Sequence, residues 1–595
     1  MPQSSLRQKV RALGRLRTNE HTTMTLLAVF VGLLGGYGAV GFRYLIGFFQ
    51  ELAYGGGGDL LDLALATPWY LRLVVPAAGG LVVGPIVYFL ANEAKGHGVP
   101  EVMESVALRS GMIRKRVVLI KSLVSAVCIG TGGSVGREGP IVQIGSAIGS
   151  TLGQVLRVSA DRIRTLVGCG AAAGIAATFN APIAGSMFAL EVILGDFGLA
   201  TFSPIVISAV VATAVSRHFL GNAPAFIVPE YRLVSAWELP MYMVLGLACA
   251  FVAVGFTRIL YRAEDEFEGL RFPPYLKAGL GGLALGLIAI PFPHVLGVGY
   301  GSIDLALLGN LSWQLMMGLV VFKLVATSIT LGSGGSGGIF APSLFIGAMA
   351  GGAFGTACHA LFPGITASPG AYSLVGMGAV VSGTTHAPMS AILILFELTG
   401  DYKIILPLMI ACIMSSLAAR QLLQDSIYTL KLARRGINLY EGKEVNVLKS
   451  IRVGDVMNPE VETVPENLAL GRLTERLTRS KYNTFPVVNE QGRLTGILSL
   501  LDYRDVAFDQ NLSDLVVAKE LATPEVVTVT PDDDLYAALG KITVEDFSLL
   551  PVVASDDSAL LVGVLTRRDI IGAYQKAILK KSVLEGEPED AAAAA

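Results

Sequence analysis

A chain of 595 residues that is 52% hydrophobic and only 15% charged, with a mean hydropathy of +0.60, is far from an ordinary soluble protein. Its formal net charge is −2 and its basic residues form no extended patch interleaved with aromatics, so nothing implies nucleic acid as a partner. Long apolar stretches run from about residue 24 to 428, and from about 430 the composition is that of a soluble protein. The pattern predicts a membrane domain over 24–429 followed by a soluble domain.

In chain order, residues 1–23 come first and carry Arg7, Lys9, Arg11, Arg15 and Arg17. No small-residue cleavage site closes a short apolar region, so a cytoplasmic N-terminal segment is expected rather than a signal peptide. Apolar runs such as Thr25 to Gln50 and Tyr242 to Leu260 are long enough to span a bilayer. Others, such as Ile183 to Leu194, Pro342 to Ala350 and Pro388 to Glu397, are too short to cross as straight helices. Broken helices at membrane depth need protein or a wet cavity to satisfy their backbone groups, which implies a buried polar site.

The apolar region is duplicated. The stretch from Gly130 to Pro140 (GTGGSVGREGP) reappears from Gly332 to Pro342 (GSGGSGGIFAP). Lys121 and Lys323 precede the two copies at the same distance, and Gly145 and Gly347 follow them at the same distance. Downstream, Ala181-Pro182 runs to Glu191 as Ala387-Pro388 runs to Glu397. The halves cover about 24–220 and 239–428. The loop before Lys121 is basic (Arg109, Arg114, Lys115, Arg116), whereas the loop before Lys323 (Gly309 to Gln314) is neutral. By the positive-inside tendency the two face opposite sides, which predicts an inverted repeat.

The soluble region is duplicated too. Phe485-Pro486-Val487-Val488 followed by Gly496 to Asp502 is matched by Leu550-Pro551-Val552-Val553 followed by Gly563 to Asp569. β-branched runs beside helical stretches predict a small α/β unit in each copy, over 451–508 and 516–576. The linker 430–450 carries Arg434, Arg435 and Lys443, which favours a cytoplasmic location. Residues 577–595 form a tail whose final alanines are expected to be an addition.

Cys128, Cys169, Cys249, Cys358 and Cys412 stand singly in apolar segments, so buried small hydrophobes are expected rather than a metal site or disulfides. No nucleophile–base constellation or Walker A pattern supports an enzyme or an ATP-driven pump.

Several separated motifs occur in one order: Gly96-His97-Gly98-Val99-Pro100, Gly136-Arg137-Glu138-Gly139-Pro140, Gly338-Ile339-Phe340-Ala341-Pro342, and Tyr428 at the end of the apolar region. With them the chain resembles, over nearly its whole length, a prokaryotic-type member of the CLC chloride channel and transporter family followed by a tandem pair of CBS domains. Each motif joins a Gly-rich turn to a Pro suited to a first helical turn. Helix starts of this kind leave N–H groups unpaired and carry partial positive charge. Several of them converging bind an anion yet still release it. The resemblance implies that arrangement, with the Tyr428 hydroxyl on the same anion. It further implies chloride or a similar anion as substrate, no required cofactor, a lipid-embedded homodimer with one pathway per subunit, and a multi-pass protein of the bacterial plasma membrane with both termini cytoplasmic.

Glu138 is the expected gate. When ionised, a carboxylate at an anion site competes for the anion's donors, and when neutral or swung away it opens the route. Glu191 and Glu397, each within an apolar run, read as carboxylates that tie helices together.

Two departures from the family pattern stand out. The second glutamate that relays protons in the family's antiporters falls on Val192, which carries no proton. This favours a passive channel over a chloride/proton antiporter, although Glu191 or a wet route leaves exchange open. His97 stands where the family usually has serine. Its ring either donates to the anion, with an unperturbed pKa of about 6.5, or turns away and leaves the work to Gly98. Lys121 attracts anions to a vestibule, or pairs or snorkels. In the CBS pair, Ser499, Asp502, Thr566 and Asp569, with Thr528 bordering the same cleft, match a pattern that in related domains contacts adenine nucleotides. A protein that chiefly senses nucleotide is the remaining alternative. The fold expected is an all-α polytopic membrane domain of two inverted repeats with broken helices, followed by a small α/β cytoplasmic CBS pair.

Overall fold

The computed structural model describes residues 20–90, 95–222, 226, 233–437, 448–449, 451–480, 482–504, 506, 515–544 and 548–584. The basic N-terminal residues Arg7 to Arg17, Lys443 and the alanine tail lie outside them. The chain divides into two compact units, residues 1–434 and 435–595.

The first unit is helical. Its first half contains α1 (Glu20–Tyr54), α2 (Leu60–Ala66), α3 (Trp69–Leu90), α4 (Val99–Leu108), α5 (Arg116–Gly130), α6 (Glu138–Leu156), α7 (Ala160–Phe179), α8 (Pro182–Phe188, continued by a π turn Ala189–Leu194) and α9 (Leu199–Leu220). The second half contains α10 (Glu238–Gly269), α11 (Lys277–Ala289), α12 (Tyr300–Leu307), α13 (Trp313–Gly332), α14 (Phe340–Leu361), α15 (Pro369–Thr385), α16 (Pro388–Thr399) and α17 (Ile405–Leu422). A short α18 (Thr429–Ala433) closes the unit. Among the described residues, seven helices are long and apolar enough to cross a membrane.

The same contacts recur in both halves. Helix α6 packs on α7 as α14 packs on α15, and α1 packs on α9 as α10 packs on α17. The repeated glycines explain the first pair. A Cβ on Gly145 would collide with the carbonyl of Gly170, and one on Gly347 with the carbonyl of Gly376. Without a hydrophobic drive between helices in lipid, such backbone-distance contact is a main source of association. One expectation is corrected here. The run Pro342 to Ala350 does not end as a short piece, because α14 continues for 22 residues to Leu361. Gly351 and Gly352 do not break it; they press against the Tyr372 carbonyl and the Ser373 hydroxyl.

The short helices α8 and α16 begin without side-chain caps of their own. Each is capped by the other half. Glu397 accepts from the amides of Ile183 (3.1 Å) and Ala184 (2.7 Å). Glu191 accepts from the amides of Met389 (3.2 Å) and Ser390 (2.7 Å) and from the Ser390 hydroxyl (2.6 Å). The exchange is self-complementary, as a twofold relation between halves requires. It carries out the helix-tying role expected of both carboxylates. Glu397→Ala strands two helix N–H groups and should cost about 2–3 kcal/mol of stability. Glu191→Ala should cost a similar amount, and chemical denaturation in detergent is the measurement for both.

Four of the five cysteines, Cys128, Cys169, Cys249 and Cys412, are buried as expected, whereas Cys358 is half-buried.

In the second unit, β1 (Val464–Pro465), β2 (Thr484–Val488) and β3 (Leu494–Ser499) form one sheet in that order, and β4 (Leu549–Val553) pairs antiparallel with β5 (Leu561–Thr566). Val464 pairs in parallel with Val487, and Val529 does the same with Val552. Both antiparallel pairs bulge at the corresponding step, Val487/Val488 and Val552/Val553. Helices α19 (Leu470–Arg479), α20 (Leu500–Arg504), α21 (Ala518–Leu521), α22 (Leu535–Val544) and α23 (Arg567–Leu584) complete the two α/β copies. Each copy has its own apolar core, one around Leu473, Phe485 and Leu498 and the other around Leu535, Leu550 and Leu565.

Candidate functional site: an anion site at converging helix starts

Three glycine loops are stitched together by backbone hydrogen bonds. The Gly136 amide donates to the Gly338 carbonyl (2.7 Å), and the Gly338 amide donates back to the Gly136 carbonyl (2.6 Å). The Gly96 amide reaches the Gly335 carbonyl (3.1 Å), and the Gly337 amide reaches the Gly96 carbonyl (3.3 Å). Two side-chain pairs repeat the symmetry: Ser134 with Thr327 (3.3 Å), and Ser336 with Ser125 (2.9 Å). Helices α4, α6 and α14 start from these loops, and none of the three starts has a side-chain cap. Their first-turn N–H groups and positive dipole ends are therefore available to an anion. Gly98 enters α4 with φ +84°, a left-handed conformation that suits glycine. Pro100, Pro140 and Pro342 lie in the three first turns.

The motif residues meet here. Val99 and Pro100, Ile339, Phe340 and Ala341, Gly139, His97, Glu138 and Tyr428 are all buried. The His97 and Tyr428 rings are 5.8 Å apart, so the ring stands beside the tyrosine. A Cβ on Gly139 would collide with the His97 carbonyl, and the Gly338 Cα is 3.0 Å from that same point. Glycine is thus required where α4, α6 and α14 come closest.

Glu138 opens α6 with its carboxylate turned back into the junction. One oxygen, Oε1, accepts from the Tyr300 hydroxyl at 3.0 Å. The other, Oε2, occupies the space that any side chain at Gly136 would need. That same space is bordered by the Ala341 amide nitrogen, but Oε2 itself has no hydrogen-bond partner among the described residues. The Arg137 guanidinium does not enter the junction; it lies over the Tyr300 ring, 5.2 Å from its centre.

The lysines have a structural role. Lys121 is fully buried and donates to the Gly96 carbonyl at 2.8 Å. Lys323, its repeat partner, is also fully buried and donates to the carbonyls of Val295 (3.0 Å) and Gly297 (2.8 Å). Each ammonium clamps the loop that leads into a short helix of its own half, α4 or α12. Of the readings open for Lys121, the buried and paired one fits its surroundings: it has no accessible surface and donates to a carbonyl. Val192 is buried in the π turn after α8, next to Glu191.

In the second unit the nucleotide candidates cap helices. The Ser499 amide and hydroxyl both donate to Asp502 (2.9 and 2.8 Å), at the start of α20. The Thr566 amide and hydroxyl both donate to Asp569 (2.9 and 2.6 Å), at the start of α23. The Thr528 carbonyl accepts from Lys541 (2.8 Å). Among the described residues no group of three metal-ligating side chains occurs.

The sequence reading missed Tyr300 and Asp59. The signal was present: Gly297-Val298-Gly299-Tyr300 is the second-half counterpart of Gly96-His97-Gly98-Val99, set at nearly the same distance before its lysine.

An uncapped convergence of broken helices in two inverted repeats, with a carboxylate folded into it, defines a membrane anion-transport fold. Residues 79–420 match the family described as voltage gated chloride channel, and residues 453–508 and 518–576 match the CBS domain. A putative chloride channel protein, ClcB-like, of Ralstonia nicotianae is 39% identical over 69% of this chain and 97% of its own length. The H(+)/Cl(−) exchange transporter ClcA of Salmonella arizonae is 32% identical over 71% of this chain and 91% of its own. The crystal structure of a slow cyanobacterial Cl−/H+ antiporter matches with a TM-score of 0.63 at 27% identity, over 69% of this chain and 97% of that one. The chain belongs to the CLC family, and it carries a tandem CBS pair.

Proposed function

We propose that this multi-pass membrane protein of the CLC family passes chloride passively through the junction of α4, α6 and α14, with Glu138 as the gate. The observation that carries this reading is the buried Glu138 carboxylate folded into the convergence of three helix starts that have no side-chain cap. Gly96, His97, Gly98, Gly136, Gly139, Gly338, Ile339, Phe340, Ala341 and Tyr428 would line the anion position. Passive flow is supported by Val192 at the proton-relay position and by Glu191, whose oxygens are committed to α16. No catalytic residue is assigned and no cofactor is required.

A second reading, chloride/proton exchange, is favoured by the relatives, since both the Salmonella protein and the cyanobacterial structure are named as exchangers. The deciding experiment uses purified protein in liposomes, with a chloride gradient, a voltage clamped by a potassium ionophore, and pH recorded on both sides. Chloride movement without protein-dependent proton flux is expected; protons driven uphill by chloride would establish exchange instead.

A homodimer is part of the proposal. The α8 and α16 starts and their capping carboxylates lie near the surface of the unit, with Ile183 and Met389 about half exposed (53% and 45%). Irregular polar backbone at membrane depth needs protein cover, and a second copy would supply it. The CBS pair is proposed to modulate flux from the cytoplasm. An adenine nucleotide is its candidate ligand, with Asp502 and Asp569 meeting ribose and the hydroxyls of Ser499 and Thr566 meeting phosphate beside Thr528. The proposed location is a bacterial plasma membrane.

A further inference from the structure

We infer that Tyr300 is a positioning residue for the gate: its hydroxyl holds the Glu138 carboxylate in the anion position, and Asp59 holds Tyr300. The inference rests on the proposed gating role of Glu138.

Tyr300 is the first residue of α12 and is fixed from several directions. Asp59 lies in the glycine-rich loop after α1 and accepts from the Gly301 amide at 3.1 Å and from the Leu61 amide at 2.8 Å. The Asp59 carboxylate lies 2.5 Å from where a Cβ on Gly301 would be, so loop and helix touch at backbone distance. Lys323 clamps the carbonyls just before α12. Arg137 covers one side of the Tyr300 ring, and Phe226 meets it edge-on, with centroids 5.1 Å apart. The hydroxyl is thus aimed at Glu138 by contacts from α1's loop, α13 and the α6 turn before any anion arrives.

A hydroxyl donor favours an ionised carboxylate over a neutral one, and it must be given up when the carboxylate leaves. The charged and titratable groups around the gate are Arg137 from its own turn, Tyr300 from α12, and Tyr428 with His97 beside it. Arg43 from α1 acts on Arg137 and Tyr300. Lys121 is held by Gly96. Of these, Tyr300 is the one whose hydrogen bond to the Glu138 side chain is seen directly.

The test measures chloride efflux from liposomes holding the full-length protein, as a function of external pH, for wild type, Tyr300→Phe, Asp59→Asn, Glu138→Gln and the double variant Tyr300→Phe/Glu138→Gln. Phenylalanine keeps the ring and its Arg137 and Phe226 contacts, so a thermal melt should match wild type. Tyr300→Phe is expected to raise flux at neutral pH by about tenfold and to move the half-maximal pH upward by about one unit. Asp59→Asn should move it the same way by less. On the Glu138→Gln background, Tyr300→Phe should add nothing. If Tyr300→Phe keeps the wild-type pH profile while Glu138→Gln abolishes pH dependence, the positioning role is overturned and the gate stands. If Asp59→Asn alone leaves the profile unmoved, the Asp59 link is overturned. If Glu138→Gln itself leaves the pH profile intact, the gate reading falls, and the role of Tyr300 falls with it.

Discussion

Glu138→Gln is expected to yield a protein that carries chloride at a rate nearly independent of pH from about 5 to 8, and faster at neutral pH than wild type by about tenfold. On the proposed reading the wild-type carboxylate stands where the anion would meet the uncapped helix starts, and Tyr300 donates to it at 3.0 Å. A neutral amide of the same shape binds those donors more weakly because its oxygen carries no full charge. Chloride then displaces it easily, and no proton is needed. The wild-type sign follows from the same competition: flux rises as pH falls, because protonation removes the competing charge. Chloride efflux at a series of external pH values, with voltage clamped, measures both effects. A Gln variant with a wild-type pH profile would remove Glu138 from the gate.

The second large effect concerns folding. Gly145→Val should cost at least about 3 kcal/mol and abolish recovery of well-folded protein, since its Cβ has no room beside the Gly170 carbonyl and backbone cannot yield. Gly347→Val should behave alike, because Gly347 meets the Gly376 carbonyl in the same way. Gly255→Val on α10 is the control: nothing lies within 4 Å of its would-be Cβ, so stability should stay within about 0.5 kcal/mol of wild type. Monodispersity on size-exclusion chromatography and thermal melts in detergent separate the three.

The repeat made much of this legible. Residues set at equal distances from a Gly-rich turn occupy equivalent places, so Lys121 with Lys323, Gly145 with Gly347, and Glu191 with Glu397 are pairs in space as in sequence. The converging helix starts were legible because such starts are built from glycine and proline, which punctuate a sequence visibly. What escaped was set largely by contact. The repeat marks the position of Tyr300, but not that its hydroxyl meets a carboxylate 162 positions away. The length of α14 was misjudged because glycine serves two purposes in lipid, ending a helix or letting another helix approach, and spacing alone does not separate them. The role of Lys121 stayed open between a vestibule and a partner because a sequence does not reveal that a carbonyl waits 2.8 Å from its ammonium.

The exchanged caps of α8 and α16 bear on biogenesis. The ribosome delivers the N-terminal half first, and that half reaches the bilayer with the amides of Ile183 and Ala184 lacking Glu397, which has yet to be translated. Lipid offers no substitute donor or acceptor. The early half is therefore expected to stay unfinished at α8 until its successor arrives, since each half holds the other's cap. A chain that ends between the halves is expected to lack the cap on α8, so the first half is completed only once synthesis has run past residue 397.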